Sequence, residues 1–146
     1  MGPAPLSCRL LVLMLVLLIC PRVVIARQRM ALVIGNAAYG ELGVLRNPVH
    51  DATDMAGTLR QLGFAVTLLR DVDRRTMIEA IDTFSLQLRQ GGAGVFYYAG
   101  HGVQVQGENY LIPVRAQISR ELDVPYEAVP VGRGSHVVRD SWVSVM

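Results

Sequence analysis

The sequence predicts an α/β fold built on a parallel sheet that helices cover on both faces. Apolar runs at Met30–Ile34, Phe64–Leu69 and Val95–Tyr98 read as strands, and two amphipathic segments separate them. This β-α-β-α-β order is typical of parallel sheets with right-handed crossovers. His101 follows the third run directly. It is therefore expected at the carboxyl edge of the sheet, where ligands and chemistry collect in open α/β folds.

The first helix is predicted to begin at Asn47-Pro48, with Asn47 as its cap and Pro48 at its first position. Its apolar face comprises Ala52, Met55, Ala56, Leu59 and Leu62. Gly63 is expected to end it. Asp51 and Asp54 lie in the early turns, where the helix dipole favours negative charge. We interpret both aspartates as dipole partners rather than as catalytic groups.

The second helix is predicted over Arg74–Gln90, after a turn at Asp71–Asp73 and before the terminating pair Gly91-Gly92. Its apolar side comprises Ile78, Ile81, Phe84 or Ser85, and Leu88.

A β-hairpin is predicted beyond the third strand, over Val103–Ile112, because polar and apolar residues alternate there around Gln106-Gly107. From Gly132 onward the pattern changes. Residues 134–146 give neither a clear amphipathic helix nor a convincing central strand, so we make no structural assignment for this tail.

Cysteine usage and charge exclude several classes of protein. The only cysteines are Cys8 and Cys20, which argues against a disulfide scaffold and a cysteine-rich zinc site. His50, His101 and His136 are too far apart in sequence to indicate a metal site, and we expect no cofactor. Removing residues 1–26 takes away two of the 14 Arg and none of the 12 acidic residues, which leaves a net charge of zero. No basic run indicates nucleic-acid binding.

Residues 1–26 have the composition of a secretory signal peptide. Arg9 is followed by an apolar run, Leu10–Cys20, that is shorter than the about 20 residues needed to span a bilayer. A cleavage site is predicted after Ala26, so we expect a periplasmic or secreted protein. An uncleaved amino-terminal membrane anchor is the alternative.

The glycines beside His101 allow two interpretations. Gly100 and Gly102 remove side-chain bulk, so a substrate chain could approach the histidine closely. The alternative is a loop histidine that merely follows a strand, because a Gly-His-Gly triplet is weak evidence by itself. A dinucleotide-binding turn is rejected, since the first loop offers only Gly35 and Gly40 in place of the three-glycine pattern.

Several motifs together resemble a bacterial caspase-like, or metacaspase-type, cysteine peptidase domain. They are Met30–Asn36 with Tyr39, Asn47-Pro48-x-x-Asp51-Ala52-x-x-Met55, Gly63-Phe64-x-Val66, Phe96–Gly102 and Glu108–Pro113. The resemblance covers roughly residues 29–133. It implies the first half of a caspase–haemoglobinase-like parallel-sheet sandwich, followed by the hairpin. We therefore divide the chain into the signal peptide, a partial domain over 27–133 and a divergent tail over 134–146.

The resemblance implies cysteine endopeptidase activity with His101 as the histidine of a Cys/His dyad. Gly102 matches a position whose backbone N–H helps to form the oxyanion hole. Caspases proper cleave after Asp and metacaspases after Arg or Lys, and nothing in this sequence fixes the preference. Arg46 lies near the substrate-binding arginine of caspases, but its surroundings differ and the role is not carried over.

One departure from the family pattern bears on activity. The family nucleophile lies on the strand after the histidine motif, usually in Asp-x-Cys, yet no cysteine follows Cys20. We expect the chain to stop about where that strand begins, and hence a domain truncated before its nucleophile and inactive by itself.

A non-catalytic pseudoenzyme or binding module is the alternative function. Tyr97, Tyr98 and the Val103–Ile112 hairpin would then bind an extended peptide or a partner strand at an open sheet edge. An active form would instead take a peptide or protein substrate. An unrelated α/β hydrolase or nucleotide-binding protein is disfavoured, because its nucleophile elbow or phosphate loop is missing from the sequence.

Overall fold

The structure, a computed structural model, describes residues 28–40, 43–89, 91–134 and 142–145. Its elements in chain order are β1 (Arg29–Gly35), α1 (Pro48–Gln61), β2 (Ala65–Arg70), α2 (Arg74–Leu88), β3 (Ala93–Ala99), β4 (Gly102–Val105), β5 (Glu108–Leu111), α3 (Val124–Glu127), β6 (Val129–Pro130) and β7 (Trp142–Val145). Strands β2, β1, β3 and β7 form a parallel sheet in that order, and β4, β5 and β6 form a smaller antiparallel sheet. The α/β fold with a parallel sheet is thereby confirmed.

The central strand β1 is buried along almost its whole length, as its uninterrupted apolar sequence predicts. Only Arg29 is exposed. Ile34 lies opposite Leu69 of β2 and Tyr98 of β3, so the three strands reach the same edge together. Strands covered on both faces read as continuous apolar runs rather than as alternating ones.

Helix α1 buries a face of small side chains, formed by Pro48, Ala52, Ala56 and Leu59. Two expectations for this helix are corrected. Asn47 occupies the cap position, but among the described residues its side chain makes no capping hydrogen bond, because its backbone is already helical at φ −109° and ψ −21°. Leu62 is 57% exposed rather than buried, because it lies past the last helical residue.

Asp73, the last residue of the predicted turn, caps helix α2. The Asp73 carboxylate accepts a hydrogen bond of 2.9 Å from the Thr76 N–H, which satisfies one free donor of the first turn. The helix buries Met77, Ile81 and Phe84 against the sheet. Ile81 and Phe84 are buried as predicted, whereas Met77 is buried in place of Ile78.

The predicted hairpin is confirmed as β4 and β5, which pair from Gly102 opposite Leu111 to Val105 opposite Glu108. Gln106 and Gly107 have φ values of 51° and 81°. Positive φ at both central residues defines a two-residue type I′ turn, whose twist matches that of the flanking strands. Strand β6 extends this small sheet along β5.

Part of the tail belongs to the main sheet, which corrects the sequence analysis. Trp142–Val145 pairs in parallel with β3, and Val145 lies opposite Tyr98. These four residues add a strand to the main sheet beside β3. This strand was not predicted, because a four-residue strand is defined by its pairing with β3 and not by a local pattern.

The predicted signal peptide, residues 1–26, lies outside the described residues. Within the residues that the structure describes, no helix combines the length and the apolar character needed to cross a membrane.

Candidate active site

The carboxyl edge of the main sheet is held together by a buried amide, Asn36, directly after β1. The side chain is fully buried. Its Oδ1 accepts a hydrogen bond of 3.0 Å from the N–H of Val72, and its Nδ2 donates one of 3.3 Å to the carbonyl of the same residue. The backbone N–H of Asn36 donates to the carbonyl of Ala99 at 2.9 Å. One residue thus ties the loops after β2 and β3 to the end of β1.

Asp71 braces the same edge from the loop after β2. Its Oδ1 accepts hydrogen bonds from the N–H groups of Ala37 at 2.7 Å and Ala38 at 2.9 Å. Asp71 itself has φ 49°, a left-handed conformation that Asp tolerates better than most residues. The turn predicted over residues 71–73 is therefore a connection between two loops at the candidate site.

His101 lies at this edge, immediately after β3 and before β4, as the sequence predicts. The residue is half-buried. Its ring nitrogen Nε2 is buried and has no hydrogen-bond partner among the described residues. A buried polar atom without a partner is costly in a folded protein, so this one calls for an explanation, of which a catalytic role is one.

Two tyrosines hold the backbone of His101. The N–H of His101 donates to the hydroxyl of Tyr39 at 2.8 Å, and that hydroxyl lies 2.9 Å from the hydroxyl of Tyr98. Tyr98 donates to the carbonyl of Ile112 at 2.6 Å, and its hydroxyl also lies 3.1 Å from the carbonyl of His101. Because each hydroxyl has one proton, Tyr39 is the donor in the bond between the two tyrosines. We call this path from His101 through Tyr39 and Tyr98 to Ile112 the tyrosine chain.

Burial keeps the two tyrosine hydroxyls protonated. It is the largest cause that raises the pKa of Tyr39 above its ordinary value, with the bonds to Tyr98 and His101 acting in the opposite direction. Burial also raises the pKa of Tyr98, and the neighbouring Tyr39 raises it further. Both hydroxyls can therefore donate and accept throughout the physiological pH range.

The space beside Gly100 is filled by the tyrosine chain. A Cβ at Gly100 would lie within 2.6 Å of the Tyr98 hydroxyl and closer still to that of Tyr39. Its φ is not in the left-handed region. The expectation that both glycines beside His101 leave room for a substrate is therefore wrong for Gly100, whose missing side chain makes room for the tyrosines.

Gly102 is the first residue of β4 and is exposed. The N–H of Ile112 donates to the carbonyl of His101 at 2.9 Å, which makes these two residues a hydrogen-bonded pair of the ladder. Bonded and non-bonded pairs alternate in antiparallel strands, so Gly102 and Leu111 form a non-bonded pair. The N–H of Gly102 accordingly points away from β5, and its role in an oxyanion hole stays a prediction.

The two tyrosines before this loop cannot form an exposed binding surface. Tyr97 is 2% exposed and Tyr98 is fully buried. Tyr97 faces the α1 side of the sheet, where burial, followed by the charge of Asp51, raises its pKa. The interpretation of Tyr97 and Tyr98 as partner-binding residues is corrected, because both complete the core.

The other polar residues considered from the sequence lie on the surface. Arg46, His50, Asp51 and Asp54 are all exposed. Among the described residues no three His, Cys, Asp or Glu side chains come close enough together to hold a metal ion. Cys8 and Cys20 lie outside the described residues. The candidate site therefore consists of His101 and the groups that hold it, and sequence reasoning missed Tyr39, Tyr98, Asn36 and Asp71 as its supports.

Comparison with known proteins identifies the family. The caspase domain family matches residues 28–129. Mucosa-associated lymphoid tissue lymphoma translocation protein 1 of Homo sapiens and its homologue from Mus musculus are each 40% identical over 92 residues. That match covers 63% of this chain but only 11% of either relative. The crystal structure of protein GSU0716 from Geobacter sulfurreducens is similar in fold, with a TM-score of 0.61 at 23% identity over 81% of this chain and 48% of that one. The residues that match the family include strands β1, β2 and β3 and the histidine that follows them. This chain therefore belongs to the caspase domain family.

Proposed function

We propose that this chain provides the histidine side of a caspase-type cysteine endopeptidase site and has no peptidase turnover by itself. The observation that supports this most directly is the buried, unpartnered Nε2 of His101 at the carboxyl edge of the sheet. The family membership supports a peptidase-type domain. The sequence adds that its only cysteines, Cys8 and Cys20, precede the domain.

The chemistry needs two groups, of which this chain offers one. In a Cys/His site the imidazole takes the proton of a thiol, and the thiolate attacks the scissile carbonyl to form an acyl-enzyme. The imidazole then gives its proton to the leaving amine. His101 would serve as this base and acid, and the outward-pointing N–H of Gly102 would donate to the developing oxyanion.

The position of β7 indicates where a thiol would have to come from. Parallel strands end at the same edge of a sheet, and Val145 lies level with Tyr98, three residues before His101. Each further residue of a strand advances it by about 3.3 Å. A thiol carried just past the carboxyl end of a strand at the β7 position would therefore arrive beside His101.

The test is a peptidase assay of the 146-residue chain against peptides with Arg, Lys or Asp before the scissile bond, with and without Ca²⁺. We expect no turnover, because removing the nucleophile of a comparable hydrolase costs about 10⁶-fold in rate. A second form, with an Asp-x-Cys segment joined after β7, is expected to gain cleavage that His101→Ala abolishes.

Cleavage by the 146-residue chain that His101→Ala abolishes would contradict the proposal of inactivity. Ser135 and Ser141 would then be the first residues to test as nucleophiles. If the Asp-x-Cys form folds and stays inactive, the proposed role of His101 is wrong. Sequencing the gene downstream of the Arg133 codon, in all frames, asks whether such a segment is encoded.

A binding role is the second candidate, and the open edges of the main sheet favour it. Within the described residues, β2 and β7 each pair with one strand only. Exposed strand edges pair readily with another chain. Size-exclusion chromatography tests this candidate, since a soluble monomer at high concentration would argue against strand addition.

Export is a further part of the proposal. Residues 1–26 have the composition of a secretory signal, so cleavage after Ala26 is expected. Mass spectrometry of the amino terminus of the protein from an expressing bacterium checks this. Recovery of an intact amino terminus from the cytoplasm would contradict it.

A further inference from the structure

The hydrogen-bond ladder between β4 and β5 lacks one of its expected backbone bonds where it reaches His101. His101 and Ile112 lie opposite each other as a hydrogen-bonded pair, and such a pair ordinarily exchanges two direct N–H to carbonyl bonds. One of these is present, from the N–H of Ile112 to the carbonyl of His101 at 2.9 Å. The other is absent from its usual place, because the N–H of His101 bonds to Tyr39 and the carbonyl of Ile112 bonds to Tyr98.

Two tyrosine hydroxyls are therefore inserted into one hydrogen bond of the ladder. The N–H of His101 reaches the carbonyl of Ile112 through Tyr39 and Tyr98, over successive distances of 2.8, 2.9 and 2.6 Å. The N–H of His101 and the carbonyl of Ile112 are therefore both paired, although they do not bond to each other directly. Local disruptions of a ladder commonly redirect a side chain next to an active site.

The ring of Tyr39 also contacts the imidazole. The two ring centroids are 4.5 Å apart and the planes are inclined by 55°. Tyr39 thus contacts His101 twice, with its hydroxyl at the backbone and with its ring at the side chain. Tyr39 is itself only 3% exposed, so its own position is fixed by packing.

We propose that Tyr39 is the positioning residue of His101, and that Tyr98, whose hydroxyl also lies 3.1 Å from the carbonyl of His101, orients Tyr39 and supports it. The inference rests on the proposed role of His101 as the base, and it assigns the tyrosine chain a purpose beyond stability. The chain fixes the backbone of His101, while the ring of Tyr39 holds the imidazole in place at the carboxyl edge of the sheet.

The test uses Tyr39→Phe and Tyr98→Phe, which each keep the aromatic ring and remove one hydroxyl. Tyr110→Phe is the matched control, because the Tyr110 hydroxyl donates at 3.0 Å to Glu108, two residues away, outside the tyrosine chain. The first measurement is hydrogen exchange of the His101 amide by NMR on the full chain. The second is the rate at which diethyl pyrocarbonate modifies His101, with exposed His50 of the same molecule as the reference.

In the unmodified protein we expect a protected His101 amide and slower modification of His101 than of His50. Tyr39→Phe should speed exchange of the His101 amide about ten-fold or more, since its N–H loses its acceptor. It should also bring the modification rate of His101 toward that of His50. Tyr98→Phe should have the same effects to a smaller extent, and Tyr110→Phe none.

Unchanged exchange and modification at His101 in folded Tyr39→Phe would overturn the inference, while leaving the proposed function intact, because peptidase activity is assayed separately. Equal effects in Tyr110→Phe would show general loosening and would also overturn it. If Tyr39→Phe does not fold, the unmodified protein decides: a His101 amide that exchanges as fast as exposed loop amides excludes positioning by Tyr39. Protection of that amide, with the same loss of protection in Tyr98→Phe, supports it.

Discussion

The two faces of the main sheet are packed in different ways. On the α1 side the buried residues are mostly small, and they comprise Ala31, Val33, Ala52, Ala56, Leu59, Tyr97 and Ala99. On the α2 side they are larger, and they comprise Met30, Leu32, Ile34, Met77, Ile81, Phe84, Tyr98, Leu111 and Val129. Only the α2 side includes residues of β5 and β6, so its core continues from the sheet into the hairpin that follows His101.

The contrast indicates what each face does for the candidate site. On the α1 side, a Cβ on Gly35 would lie 2.7 Å from that of Ala52 and 2.6 Å from the carbonyl oxygen of Pro48. The helix therefore lies against the backbone of β1, with no spare volume. On the α2 side, the buried residues have longer side chains, and they include Tyr98 of the tyrosine chain. We infer that the α1 face is sensitive to added volume and the α2 face to lost volume.

The largest effect is expected from a charge on either face. Ile81→Asp and Leu59→Asp each place an unpaired carboxylate where the wild-type side chain is no more than 7% exposed. Burying an unpaired charge costs several kcal/mol, so neither variant should fold. Circular dichroism and thermal melting check this, with Leu62→Asp at the exposed end of α1 as a control that should melt normally. Cooperative, wild-type-like melting of either core variant would show that its helix face is wrongly assigned.

Lost volume should matter most beneath α2. Met77 is fully buried. Met77→Ala should lower the free energy of unfolding by about 2–5 kcal/mol, the range for large-to-small changes in cores. Denaturant titration measures the loss. A loss below about 1 kcal/mol would mean that the α2 face tolerates a cavity and that the contrast between the faces is wrong.

Added volume should matter most beneath α1. Ala52 is fully buried and lies against β1 at the position of Gly35. Ala52→Leu should lower the free energy of unfolding by about 1–3 kcal/mol, because overpacking forces backbone shifts. The same titration measures this loss of stability. Ala80→Leu, at a half-buried residue of α2, is the matched control. Equal losses of stability in Ala52→Leu and Ala80→Leu would show that the two faces of the sheet do not differ in their tolerance of added volume.

The smallest effect is the contribution that Tyr98, on the α2 side, makes to a dependence on alkaline pH. The pKa of Tyr98 is raised in the folded protein, chiefly by burial, whereas an unfolded tyrosine ionises near pH 10. The unfolded chain then binds fewer protons than the native one, so stability is complete below about pH 10 and falls as pH rises above it. The slope for one such group is at most about 1.4 kcal/mol per pH unit.

Tyr98→Phe should flatten this alkaline loss, even though the variant is less stable at neutral pH. Urea titrations between about pH 9 and pH 11 compare the two proteins. Tyr126→Phe, at a 77% exposed tyrosine, is the control. The same slope in Tyr98→Phe and wild type would show that Tyr98 does not ionise on unfolding in this range.

The sequence pattern within a segment was enough to predict the elements whose structure depends mainly on their own residues. The apolar run of β1, the Gln106-Gly107 turn and the buried side of α2 each follow from the residues within them. The ends of the helices were predicted less well. Asn47 has the right residue type for a cap but a helical backbone, and Leu62 continues the apolar spacing of α1 beyond the point where the helix ends.

Long-range features account for the rest. Tyr39 lies 59 residues from Tyr98 and 62 from His101, so no spacing rule brings the three together. One clue was present in the sequence, because a tyrosine inside a buried strand needs a partner for its hydroxyl. Strand β7 depends in the same way on β3. The strand pattern and the family resemblance both pointed to His101, and the family motifs included Tyr39 and Tyr98 without indicating that they hold it.

The amide of Asn36 connects the stability of the site to chemical ageing. Hydrolysis of that amide replaces one NH₂ group with oxygen, which removes the only donor to the carbonyl of Val72 on this side chain. It also leaves a carboxylate in a fully buried position, next to a carbonyl that it would repel. A change of a single atom would therefore weaken the connection between the loop after β2 and the loop before Tyr39, which Asp71 would still hold through Ala37 and Ala38. Asn36→Asp, which reproduces this hydrolysis, should therefore loosen the His101 edge while the fold persists.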